Sequence, residues 1–153
     1  MNHGETSNVW ENISPMDLSL AIDIGGTKFA VGLVSRSGEI IDRTRVPVHS
    51  SLTGDDLWDD LAEAVEQQLT AARDRHHAHV VSVGVGSAGP ITANCESVSP
   101  LNIHQWREFP LRERLRQFTA LPVFGEGDGK ALALAEGWLG AARGVDNFLA
   151  MVV

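Results

Sequence analysis

Between Leu18 and Ile24, aliphatic residues alternate with small or polar ones: Leu18, Leu20, Ile22 and Ile24 fall on one side, and Ser19, Ala21 and Asp23 on the other. A period of two predicts a β-strand with its aliphatics in the core and Asp23 on the opposite face. Asp23-Ile24-Gly25-Gly26-Thr27-Lys28 then reads as the tip of a hairpin whose return strand runs from Phe29 to Val34. Glu39 to Val48 predicts a third strand, entered through Ser35 to Gly38 and left at Pro47 and the serines beyond. At Thr53 the period changes. Thr53-Gly54-Asp55-Asp56 has the form of a capping box with Asp in the fourth place, and Leu57, Leu61, Val65 and Leu69 recur every four residues. This predicts an amphipathic helix to about Arg73.

Val80 to Val85, rich in β-branched residues, predicts another strand running into Gly84-Val85-Gly86-Ser87-Ala88-Gly89. Pro90 to Pro100 has no helical period and reads as a short hairpin or loop. A helix is expected from Pro110, with Leu111, Leu115 and Phe118 on one face, followed by a short buried strand from Leu121 to Phe124. A longer helical pattern runs through Leu134, Ala135, Trp138 and Ala142 and is closed by Gly144. The apolar run from Asp146 to Val153 reads as one more strand. The expected organisation is a polar tail over residues 1–16, disordered or upstream of a start at Met16, one lobe over 17–145, and over 146–153 the first strand of a second lobe.

Charge and composition narrow the partners. The chain carries a net charge of −8, which works against a nucleic-acid surface because phosphate backbones are bound by clustered Lys and Arg. Arg112, Arg114 and Arg116 are the densest basic stretch, and Glu113 interrupts it. The single cysteine, Cys95, excludes an internal disulfide and fits a reducing cytoplasm. No apolar run is long enough to span a membrane, so no membrane partner is expected.

Candidate chemistry gathers at three glycine-rich stretches. Gly25 and Gly26 lack a Cβ, can take positive φ, and can turn successive N–H groups toward one anion. Asp23 would hold a hydrated Mg²⁺ beside that anion, with Thr27 supplying a hydroxyl and Lys28 a positive charge. A plain glycine hairpin turn explains the same pair without a ligand. Gly84 to Gly89 spells a dinucleotide-binding fingerprint, but Pro90 follows where a helix should open. Gly125-Glu126-Gly127-Asp128-Gly129-Lys130 is no Walker A loop, since Phe124 and Ala131 stand where Gly and Ser or Thr are needed. Asp128 thus lies at a strand-to-helix junction, either as an acid favoured by the helix dipole or as a catalytic carboxylate. His76, His77 and His79 suit a metal or simply a helix C-terminus.

Four stretches taken together resemble the ROK family of bacterial sugar kinases and repressors, and specifically its glucokinase-like kinase members: Ala21 to Lys28; Gly84 to Pro90; Asn102-Ile103-His104-Gln105-Trp106 with Pro110-Leu111; and Leu121-Pro122-Val123 through Gly127-Asp128 to Asn147. The resemblance implies an α/β fold, the N-terminal lobe of an actin-like, ribonuclease H-like ATPase, built as a mixed sheet with flanking helices. It implies ATP-dependent phosphorylation of a hexose, with ATP and Mg²⁺ as cofactors. Asp23, Gly25, Gly26, Thr27 and Lys28 match the phosphate motif, with Asp23 reaching Mg²⁺ through water. Gly89, Asn102, Gly127 and Asp128 match the sugar pocket, Asp128 as general base. The family commonly has Asn where Gly127 stands, and Pro where Ala88 and His104 stand. The family's second phosphate motif, adenosine site and His/Cys zinc site have no counterpart in these residues, so no zinc site is expected here and the chain alone is expected to be inactive. A homodimer is expected of a full-length member. The alternatives are a non-catalytic sugar-sensing regulator and an inactive half-kinase.

Overall fold

The computed structural model describes residues 16–151; the expectations for residues 1–15 and for Val152 and Val153 lie outside them. Five strands form one mixed sheet in the order β3-β2-β1-β4-β5. They are β1 (Asp17–Ile24), β2 (Lys28–Ser35), β3 (Ile40–Pro47), β4 (His79–Ser87) and β5 (Val123–Gly127). β1, β2 and β3 form an antiparallel meander, while β4 and β5 run parallel to β1. α1 (Gly54–Asp74) connects β3 to β4, α2 (Leu111–Thr119) lies between β4 and β5, and α3 (Asp128–Trp138) follows β5.

The alternation of β1 is realised residue by residue. Leu18, Leu20, Ile22 and Ile24 are buried, and Asp23 is exposed on the other face. Phe29, Val31, Leu33, Val83, Val85 and Val123 extend the buried face across the sheet, where Leu57, Leu61 and Val65 of α1 and Leu111 and Leu115 of α2 close it. The capping box of α1 is formed: Thr53 Oγ1 accepts from Asp56 N–H at 3.1 Å, and Asp56 Oδ2 accepts from Thr53 N–H at 2.8 Å. At its other end Arg75 Nη2 and His76 Nε2 lie 2.5 and 3.4 Å from Asp42 Oδ2 on β3. His76 therefore meets a carboxylate, and among the described residues no group of three or more His, Cys, Asp or Glu is placed to hold a metal.

Four expectations are corrected. β5 begins at Val123 and extends to Gly127, and Phe124 is half exposed, because pairing with β4 runs from Val83↔Val123 to Ser87↔Gly127. α3 ends at Trp138, before Ala142, as Glu136 Oε2 accepts from Ala141 N–H at 2.8 Å and turns the chain. None of its residues is buried, so the apolar period of Leu134, Ala135 and Trp138 packs into no core. Phe118, placed with Leu111 and Leu115, is 44% exposed rather than buried with them and meets Trp58 edge-on at 6.2 Å. Residues 146–151 pair with no strand.

Candidate functional site

The parallel strands β1, β4 and β5 end at one edge of the sheet, where Ile24, Ser87 and Gly127 are adjacent in register. The carboxyl ends of parallel strands, where the chain leaves for turns and helices, form the crevice in which open α/β sheets bind ligands. Asp23, the 25–28 turn, Gly89 and Asp128 all gather there. Asp23 and Asp128 also line a groove of about 1000 Å³ between the sheet and α3.

The turn after β1 differs from expectation in its mechanism. Neither Gly25 nor Gly26 lies in the left-handed region. They are glycines because of close approach. A Cβ on Gly25 would stand 2.9 Å from Lys28 O, and one on Gly26 would stand 2.5 Å from Asn102 Cβ. Gly25 N–H is also spent closing the turn onto Lys28 O at 3.1 Å. Among the described residues no acceptor takes the N–H of Gly26 or Thr27. These two amides, with the Thr27 hydroxyl and Lys28, are the donors left for an anion.

The contact of Gly26 with Asn102 joins two of the four stretches. Leu101 N–H donates to Gly89 O at 3.2 Å, and Ala88 N–H to Ile24 O at 3.2 Å, which seats Gly89 and the Asn102 loop over the end of β1. Trp106 anchors the same loop. Its ring stacks between Phe29 at 5.1 Å and Phe109 at 4.3 Å, and its Nε1 donates to Gly54 O at 2.9 Å. Gln105 Nε2 is ringed by the carbonyls of His49, Ser50 and Leu52 at 3.1 to 3.4 Å. Val48 N–H in turn donates to Thr27 O at 2.9 Å, so the 25–28 turn, the 48–53 loop and the Asn102 loop are tied together. Gln105 and Arg107 carry no recognisable signal in the sequence, because their role lies in which carbonyls happen to surround them.

Gly127 precedes α3 in extended conformation, and Asp128 is its first residue, with Oδ1 accepting Gly129 N–H at 2.7 Å. The carboxyl of Asp23 is held above its ordinary range. Although water reaches it, the walls of the concave surface withdraw part of its hydration, the larger cause, and the negative charge of Asp128 adds to this, against the opposing pull of Lys28. Two carboxylates facing one cleft form a site that gains from a cation. Cys95, packed under Gly125, has its thiol pushed up to about 11 by burial and by the charge of Glu126, which leaves it unreactive.

Fold and site together define an α/β lobe with an acidic, anion-fitting cleft at the carboxyl ends of its parallel strands. The ROK family model matches residues 19–153, and the chain belongs to that family. It is 34% identical over 138 residues to a glucokinase of Streptomyces coelicolor, spanning 90% of this chain and 41% of that protein. It is 36% identical over 119 residues to an N-acetylmannosamine kinase of Escherichia fergusonii, 77% of this chain and 38% of the other. The solved ROK family glucokinase of Streptomyces griseus, in complex with glucose and AMPPNP, superposes with a TM-score of 0.68 at 32% identity, covering 83% of this chain and 38% of that one. The chain thus spans about 40% of the length of the relatives it matches. The mixed sheet with flanking helices is the actin-like fold of the ROK sugar kinases.

Proposed function

We propose that this chain forms the lobe of an ATP-dependent hexose kinase that grips the nucleotide's terminal phosphates and presents the sugar hydroxyl. The observation that carries the reading is the Gly26–Asn102 contact, which sets a phosphate-type turn directly against the loop of a candidate sugar ligand. Asp128 serves as general base. It starts a helix beside the cleft, and a carboxylate there accepts the hydroxyl proton as the bond to phosphorus forms. Phosphoryl transfer asks little covalent chemistry of the protein, so positioning by Asn102, Gly89 and Gly127 and charge compensation by Lys28 are the remaining tasks.

A magnesium ion fits the residues present, because the carboxylates of Asp23 and Asp128 line one cleft and Asp23, raised first by lost hydration and then by the charge of Asp128, gains from a cation beside it. When bound, it neutralises charge on the nucleotide phosphates. Asp23 would hold it through water, and the N–H groups of Gly26 and Thr27 would hold phosphate oxygens. The substrate class is glucose or a related hexose, by likeness to the glucokinases and the N-acetylmannosamine kinase. Soluble cytoplasmic work and a homodimer in a full-length member belong to the same proposal.

The test is a chimera in which this chain replaces the matching residues of the Streptomyces coelicolor glucokinase, assayed for glucose-dependent ADP formation. Asp128→Asn is expected to lower kcat by about 10² to 10⁴, roughly 3 to 5 kcal/mol of barrier. Near-normal turnover by that variant would remove Asp128 from the role of base.

A further inference from the structure

Asn102 stands in the first of two consecutive turns. Ile103 N–H donates to Pro100 O and Trp106 N–H to Ile103 O, each at 3.1 Å. Surface turns closed by single bonds open readily, because water competes for each carbonyl. Here one side chain occupies those carbonyls. Arg107 Nη1 lies 3.1 Å from Pro100 O, 2.8 Å from Ile103 O and 2.6 Å from Trp106 O. Its Nη2 lies 3.1 Å from His104 Nδ1. A guanidinium only donates, so all four partners are acceptors, and His104 Nδ1 presents its lone pair. Among the described residues Arg107 forms no ion pair with Asp or Glu. Its donors go to three backbone carbonyls and one side chain, His104, of the loop that carries Asn102.

We propose that Arg107 is a positioning residue for Asn102, its planar guanidinium clamping the carbonyls of Pro100, Ile103 and Trp106 so that Asn102 is held against Gly26. The guanidinium suits the task because its flat fork of donors reaches the carbonyls and His104 at once. Loss of the clamp frees the 100–106 turns while Trp106 stays stacked between Phe29 and Phe109, so the lobe remains folded. The consequence for sugar binding rests on the kinase reading; the clamp itself does not.

The deciding measurement is amide hydrogen exchange in the 153-residue chain. Arg107→Ala is expected to speed exchange of the Ile103 and Trp106 amides by about tenfold or more, with α1 amides unchanged. Guanidinium ion at low millimolar concentration is expected to slow it again by refilling the vacated position. Unchanged exchange at Ile103 and Trp106, or an equal rise in α1, overturns the proposal. In the chimera the same variant should raise KM for glucose about tenfold with kcat within about twofold. A chimera that forms no ADP with its natural residues in place would count against the kinase reading alone, since the exchange experiment needs no sugar.

Discussion

The two faces of the sheet are built to opposite ends. Toward α1 and α2, Leu20, Ile24, Phe29, Leu33, Leu57, Leu61, Leu111 and Leu115 are fully enclosed. Toward α3 the strands present Ala21, Asp23, Ala30, Gly32, Gly84 and Gly86, and α3 stands off across a groove of about 1000 Å³ with Leu134 63% and Trp138 51% exposed. Large aliphatics on one face supply the free energy of folding. The other face carries small residues and Asp23 beside Val34, Ile40, Arg43 and Phe124, and it stays accessible because α3 does not close over it. The candidate site lies where the open face meets the carboxyl ends of the parallel strands, so the residues that keep the chain folded and those proposed to act on ligand are nearly disjoint.

The largest expected break in that comparison is a paired truncation. Leu61→Ala should cost about 2 to 5 kcal/mol of unfolding free energy, while Leu134→Ala should cost within about 0.5 kcal/mol, both read from denaturant midpoints. Equal losses would mean that α3 is as firmly packed as α1. A second pair concerns glycines. Gly26→Ala drives a methyl into Asn102 and should cost about 1 to 3 kcal/mol, whereas Gly84, where a methyl would meet nothing within 4 Å, should accept Ala at no cost or with a gain of about 0.4 to 1 kcal/mol. Thermal melts of the two variants decide it. The smallest effect sits at Asp23. A carboxyl whose folded-state pKa is raised favours the native state only while protonated, so its contribution is complete at low pH and is lost as pH rises through the raised value. Asp23→Asn should therefore raise Tm at neutral pH and leave it unchanged below the ordinary carboxylate range near about 3.9. A Tm gain of the same size at both pH values would show that the effect is not ionic.

Much of the packed face was legible along the chain. The period-two run of β1 and the four-residue spacing of Leu57, Leu61 and Val65 state which side is buried, because burial rewards every residue of a face in the same way. The capping box at Thr53 was equally readable, since its partners are three residues apart. α3 was not. Its apolar period resembles that of a core helix, but periodicity does not say whether anything covers the stripe.

At the candidate site, Asp23, Gly26 and Asp128 stood out in glycine-rich stretches and Asn102 only through the family resemblance, while the reason for Gly26 was not legible. Local logic offered positive φ, and the structure supplies instead the approach of Asn102 from a loop 76 positions further along the chain. The roles of Gln105 and Arg107 are likewise invisible in one dimension. A donor's partners there are backbone carbonyls, which every residue possesses, so the sequence cannot mark them. By itself the sequence determined the first four strands, the first helix, the buried face and the family; tertiary structure alone decided where the fifth strand runs, which loop rests on the glycine turn, which carboxylates share one cleft and which face of the sheet stays open. The physical division is between preferences set by near neighbours along the chain and contacts set by packing between distant segments.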